Sequence, residues 1–334
     1  MKRFFYLLIL LTFATVLAPP VYAVKIGETC PVVGQTYSDL VCLINSKKKI
    51  WQKLETSEAV QKVIELSLKS TELPKNLKLA LKSVRSDKSV WLDQECSVDF
   101  PDVRVPDCFA GDPAGKKSMV IYGDSHASMW MTALDQIAKK RGYKIYLFAK
   151  LACPLVESTI WSYQLNRPFK ECAEWQQLVL SKIQLLKPEV LVVTNQWKPA
   201  VVDDVKSDID TPMMWEQEFP KALQKLNSWT RKLVVIGNNP SMQQDSVTCA
   251  SKPRVNLSLC SAGRAQAGNI RINLIEENAA KSAGAIYINT VDMACTSYLC
   301  PIVIGGKFVY FDQWHFTQTY VNWLTPVLQR SMRL

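Results

Sequence analysis

Two short stretches hold residue types that could activate a hydroxyl group. One is Gly123-Asp124-Ser125-His126 and the other is Asp312-Gln313-Trp314-His315. The chain of 334 residues has 2 histidines, His126 and His315, and each falls in one of these stretches. A serine becomes a nucleophile when a base takes its proton, and the base needs an acceptor on its second ring nitrogen to set tautomer and orientation. Asp312 and His315 can supply both needs from a single loop. The expected roles are Ser125 as nucleophile, His315 as general base and Asp312 as the orienting carboxylate. Attack on an acyl carbonyl would leave a covalent acyl-serine, and His315 would then protonate the leaving oxygen or activate the acceptor. Gly, Asp and Ser are ordinary turn residues, so the first stretch alone says little. The Asp-x-x-His stretch at the far end of the chain gives it meaning.

The elements around Ser125 suit that chemistry. Met119-Val120-Ile121-Tyr122 is apolar and β-prone. After the turn, Met129, Ala133, Leu134 and Ile137 share one helical face, and Lys139, Lys140 and Arg141 close the helix. The pattern predicts strand, tight turn, helix. A serine on such a turn sits at a helix N-terminus, where N–H groups and the helix dipole favour developing negative charge. This is the setting of a nucleophile elbow, although the Gly-x-Ser-x-Gly spelling is absent. Further strands are expected over 144–149, 190–194, 233–237 and 286–288, each apolar nearly throughout, as parallel strands buried on both faces are. Helices are expected over 128–141, 171–186, 214–229, 263–283 and 317–331, with Thr317 as a cap. Five strands with intervening helices imply a doubly wound α/β sheet, whose ligands bind beyond the C-terminal strand ends.

The two end motifs together resemble the first and last blocks of SGNH (GDSL-like) esterases and acetyltransferases. The nearer resemblance is to the extracytoplasmic SGNH domain of acyltransferase-three proteins. It extends over about residues 90–334 and includes Cys153-Pro154, the strand ending in Thr194-Asn195-Gln196-Trp197, and the closing Tyr310-Phe311-Asp312-x-x-His315. The resemblance implies a flavodoxin-like strand order for the five-stranded parallel sheet. It also marks a departure. The wider family has a glycine after the second strand and Gly-x-Asn-Asp after the third. This chain reads Ala149-Lys150-Leu151-Ala152-Cys153 and Thr194-Asn195-Gln196-Trp197 there. The Ser125 N–H is therefore one expected oxyanion donor, and Asn195 is a candidate for a second. Asp124 is assigned to shaping the turn. His126 either touches substrate or packs beside the turn. Trp197 is either a sugar-stacking platform or a buried aromatic.

At the N-terminus, Met1-Lys2-Arg3, an apolar run and Val21-Tyr22-Ala23 read as a secretory signal peptide over 1–23, cut near Ala23. Residues 24–51 look like a small β-rich, cysteine-paired unit, 52–90 a helical linker, and 91–334 the main domain. The 10 cysteines of an exported chain argue for disulfides. Proximity pairs Cys30 with Cys42, Cys96 with Cys108, Cys153 with Cys172, Cys249 with Cys260, and Cys295 with Cys300. A metal site is poorly supported, because Cys-x-x-Cys is absent and neither histidine lies near a cysteine cluster. No cofactor is expected. The net charge of +10 is spread along the chain without aromatic interleaving, so nucleic acid is not an expected partner.

The expected function is that of an exported O-acyl, by preference O-acetyl, esterase or transferase acting on a cell-surface carbohydrate. As a transferase it would need a separate membrane acyltransferase to deliver acyl groups. A non-catalytic SGNH-like carbohydrate-binding protein is the competing expectation.

Overall fold

A computed structural model describes residues 24–37, 40–45, 47–93 and 95–334. The expected signal peptide lies outside the described residues. The central sheet is built from β1 (Ser97–Val98), β2 (Phe109–Gly111), β3 (Lys117–Gly123), β4 (Tyr143–Lys150), β5 (Val190–Thr194), β6 (Lys232–Ile236) and β7 (Ile286–Ile288). The strand order is β7-β6-β5-β3-β4-β1, with β2 also paired to β4. The five expected strands, β3 to β7, are parallel and run 2-1-3-4-5 among themselves, the flavodoxin-like order. Two strands are additional. Both come from the segment before β3 and cover the outer edge of β4, with β1 parallel at its C-terminal end and β2 antiparallel near its start. An uncovered edge would leave a row of unpaired backbone groups.

The continuous apolar runs follow from burial on both faces. Along β3, Met119 and Ile121 join one core cluster while Val120 and Tyr122 join another. The same two-residue alternation holds along β5 and β6. Helices cover both faces: α1 (Ser57–Ser67), α2 (Ser125–Arg141), α3 (Lys170–Leu186), α4 (Thr211–Asn227), α5 (Ile270–Ser282) and α6 (Gln318–Ser331). Side chains of α2 and α6 fill the first cluster, and those of α3, α4 and α5 fill the second.

The register sets the strand ends level. Gly123 pairs with Ala149 of β4 and Thr194 of β5, Thr194 with Ile236, and Ile236 with Ile288. The segments that leave these ends therefore emerge along one edge of the sheet. Glycine is required at 123, because a Cβ there would lie 1.8 Å from the Thr194 carbonyl oxygen.

Three helices differ from expectation. α4 starts at Thr211, three residues before the expected 214. α2 begins at Ser125 itself, because the Asp124 carboxylate caps it by accepting from the His126 N–H. The stretch expected as one helix over 263–283 is broken at Gly268-Asn269, where Asn269 takes φ +38°, leaving a short turn of helix before α5. Thr317 caps α6 through its hydroxyl, which accepts from the Tyr320 N–H at 3.1 Å.

Before the central sheet, Leu40–Asn45 and Lys48–Lys53 form an antiparallel pair that the Cys30–Cys42 disulfide ties to the preceding loop. Val60, Val63 and Ile64 of α1, with Leu77 and Val84, are buried in the same cluster as Met119 and Leu134. The remaining disulfides join Cys96 to Cys108, Cys153 to Cys172, Cys249 to Cys260, and Cys295 to Cys300.

Candidate active site

Ser125 and His315 meet across 190 residues of chain. The His315 Nε2 lies 2.8 Å from Ser125 Oγ, and its Nδ1 lies 2.7 Å from Asp312 Oδ2. An ionised carboxylate can only accept, so the ring hydrogen sits on Nδ1 and Nε2 is left to accept from the Ser125 hydroxyl. The other oxygen of Asp312 accepts from the Trp314 and His315 N–H groups, each at 2.7 Å. Burial works against the charge of Asp312, but these bonds and the His315 ring outweigh it and hold its pKa below the ordinary value.

The turn is anchored from beneath by Asp124, which is fully buried. Its Oδ1 accepts from the His126 N–H at 2.9 Å and lies 3.1 Å from His126 Nδ1. Its Oδ2 accepts from the Gln196 N–H at 2.8 Å, which ties the end of β3 to the segment after β5. Burial opposes the charge here too, and His126, the Lys198 ammonium and the Gln196 N–H keep the pKa low. His126 is buried and does not line the pocket. Its Nε2 lies 3.2 Å from the Trp314 carbonyl oxygen, and its ring stacks on that of His315 with centroids 4.9 Å apart. His126 therefore packs beside the turn and braces the loop that carries the other histidine.

Ser125, Asp312 and His315 line a pocket of about 910 Å³. Trp197 and Gln196 line it as well. Trp197 is half-buried, and its N–H donates to Asn238 Oδ1 at 2.7 Å. Asn195, one residue earlier, does not reach the pocket. It is 2% exposed, its amide donates to Glu276 Oε1 at 3.0 Å, and its Oδ1 accepts from the Leu155 N–H at 3.2 Å. Glu276 is fully buried on α5 and also accepts from the side chain and backbone N–H of Asn238, at 2.6 and 3.2 Å. Burial pushes its pKa up to about 8. Asn195, Asn238 and Glu276 thus form a polar knot behind the Trp197 segment, an arrangement that the spacing of these residues in the sequence does not announce.

Ala152 is the residue that sequence reasoning missed. It follows β4, lines the pocket and takes φ +56°, a left-handed conformation that favours glycine. It stands in the region where the wider family has a glycine. Among the described residues neither the Ala152 N–H nor the Ser125 N–H has an acceptor. The flanking bonds, Leu151 N–H to Val98 and Cys153 N–H to Lys150, hold the segment in place. The only signal in the sequence was its position directly after the second strand.

Solved structures resemble this fold. The periplasmic domain of a lipopolysaccharide acetyltransferase from Salmonella ser. Paratyphi A superposes with a TM-score of 0.51 at 16% identity, over 66% of this chain and 85% of that one. A lipase/acylhydrolase from Enterococcus faecalis gives a TM-score of 0.37 at 11% identity, over 64% of this chain and 94% of that one. An acetylxylan esterase from Geobacillus stearothermophilus gives 0.35 at 10% identity, over 66% and 96%. The first likeness is one of fold, and the other two are weaker. None of the curated proteins matches the chain in sequence. One family profile does match, that of the SGNH domain fused to AT3 domains, over residues 95–330, a span that begins before β1 and takes in Ser125, Asp312 and His315. The chain belongs to the SGNH domain family.

Proposed function

We propose that this protein is a serine-dependent O-acyl esterase or transferase that works through an acyl-Ser125 intermediate. The observation that carries the reading is His315 bridging Ser125 Oγ at 2.8 Å and Asp312 at 2.7 Å. As Ser125 Oγ bonds to the acyl carbon, its proton passes to His315 Nε2. Asp312 stays ionised and stabilises the imidazolium. The bond from carbon to the leaving oxygen then breaks, and His315 returns the proton to that oxygen. Water or a sugar hydroxyl next attacks the acyl-serine, gives its proton to His315, and frees Ser125. The N–H groups of Ser125 and Ala152 are the proposed oxyanion donors, a role in which losing one donor costs on the order of a hundredfold or more in rate. Because Ala152 offers a backbone N–H, the missing glycine does not favour a non-catalytic binding protein.

The substrate we propose is an acylated, by preference acetylated, carbohydrate, with Trp197 as the platform for a sugar ring. We also propose that residues 1–23 direct export and that residues 24–51 cap the main domain. The five disulfides fit an oxidising, extracytoplasmic compartment. No helix among the described residues is long and apolar enough to cross a membrane. In the transfer direction, acyl groups would come from a separate membrane acyltransferase. Hydrolysis of an activated acetyl ester tests the chemistry. Ser125→Ala and His315→Ala should each lower kcat by about a thousandfold or more. Rates equal to that of the unaltered protein would remove the proposal.

A further inference from the structure

The pocket around Ser125 is unevenly charged. Its lining includes the cations Lys88, Lys198 and Arg271 and the carboxylates Asp93 and Asp312. The Lys88 ammonium lies 2.6 Å from Asp93, so these two offset each other. Asp312 is engaged by the N–H groups of Trp314 and His315 and by the His315 ring. Lys198 and Arg271 have no carboxylate in direct contact with them. Among the described residues neither lies within ion-pair distance of a carboxylate. Lys198 Nζ donates only to a neutral amide oxygen, Gln196 Oε1, at 3.0 Å. Desolvation lowers its pKa, and the Asp124 carboxylate, beyond ion-pair distance, acts the other way without making up for it. Arg271, the second residue of α5, is exposed and presents a planar fork suited to a carboxylate or a phosphate. The start of α5 lines the same pocket and has no side-chain cap, which adds charge of the same sign.

A desolvated cation is costly unless something pairs with it. Here the cost is borne inside the pocket that holds the proposed nucleophile, where a bound ligand would relieve it. We infer that the pocket takes an acylated saccharide bearing an anionic group, a carboxylate or a phosphate, held by Lys198 and Arg271 while its ester lies against Ser125. The inference rests on the acyl-transfer reading and narrows it to a charged substrate. It accounts for both unpaired cations at once, and for an ester pocket whose mouth is not simply apolar.

The experiment compares three substrates on the full chain: an O-acetylated hexose, an O-acetylated hexuronate and an O-acetylated hexose phosphate. The expected result is a kcat/KM about tenfold or more higher for one or both anionic esters at low salt. That preference should shrink toward equality in about 0.5 M salt, where exposed charges are largely screened. Arg271→Gln and Lys198→Gln should each cut the preference by about threefold or more, while Lys62→Gln, on α1 and outside the pocket, should leave it intact. Preference for one anionic ester alone names the group; preference for both names charge as the determinant. Equal kcat/KM values for the three overturn the inference and leave the acyl chemistry standing. If no ester is turned over, equilibrium binding of free hexuronate, hexose phosphate and hexose to the Ser125→Ala protein still decides it. Tighter binding of an anionic sugar, lost in the Ser125→Ala, Arg271→Gln double variant, upholds charge recognition. Equal binding of all three overturns it.

Discussion

Replacing Asp124 with alanine should destabilise the fold well beyond the loss of an ordinary helix cap. Three groups depend on this fully buried carboxylate: the His126 N–H at 2.9 Å, His126 Nδ1 at 3.1 Å and the Gln196 N–H at 2.8 Å. Loss of an N-cap costs about 1 kcal/mol. A buried donor left without an acceptor costs about 1–3 kcal/mol, and both the His126 ring and the Gln196 N–H would be so left. The expected total is about 3–7 kcal/mol, a large share of the 5–15 kcal/mol that holds a typical domain together. Asp124→Asn keeps one acceptor and should lose about half as much. The assay is urea unfolding with the disulfides kept oxidised, followed by tryptophan fluorescence, with midpoint and slope fitted separately. Ester hydrolysis should fall as well, because Asp124 ties the Ser125 turn to the Gln196 segment. An Asp124→Ala protein destabilised by less than about 1 kcal/mol would refute the reasoning, since the three bonds would then carry no net stability.

Two further predictions concern the same edge of the sheet. Glu276 has a folded pKa raised to about 8 against an ordinary 4.5, so the folded state holds its proton more tightly than the unfolded chain does. Its contribution is full at low pH and is lost as pH rises from about 4.5 to about 8, by as much as a few kcal/mol. Glu276→Gln should flatten this slope in urea midpoints measured from about pH 5 to about pH 8, and an unchanged slope would count against a protonated, buried Glu276. Asp124 and Asp312 act with the opposite sign: their lowered pKa values support the fold above the ordinary 3.8, and that support is lost as pH falls below it. Ala152→Gly relieves a left-handed alanine that costs about 1 kcal/mol and keeps the backbone N–H. Stability should hold or rise, and ester hydrolysis should stay within about threefold; a loss beyond about tenfold would deny the N–H its proposed role.

Much of this arrangement was legible in the sequence because it depends on local chemistry. The β3 run, the face of α2 and the Thr317 cap each follow from residues a few positions apart. The pairing of neighbouring cysteines follows from proximity. The meeting of Ser125 with His315 was suggested by scarcity, since a chain with 2 histidines offers few bases. What stayed hidden depends on contacts remote in sequence. Asn195 looked like an oxyanion donor, yet Glu276, 81 residues away, takes its amide. Ala152 looked like an absent glycine, yet the residues on either side are bonded so that it adopts a glycine-like φ. The edge strands β1 and β2 lack the period-two pattern of a strand and form because β4 offers them an open edge. The break at Gly268-Asn269 lies inside a helical pattern, and a single glycine there is weak notice of it.

Trapping the acyl-enzyme tests the central claim most directly. The protein is mixed with an activated acetyl ester, quenched in acid within the first turnovers, digested and read by mass spectrometry. The account predicts one acetyl group on the peptide that carries Ser125, absent from Ser125→Ala and greatly reduced in His315→Ala. Turnover of the ester with no acetyl group on Ser125, or with equal labelling in the Ser125→Ala protein, would contradict it.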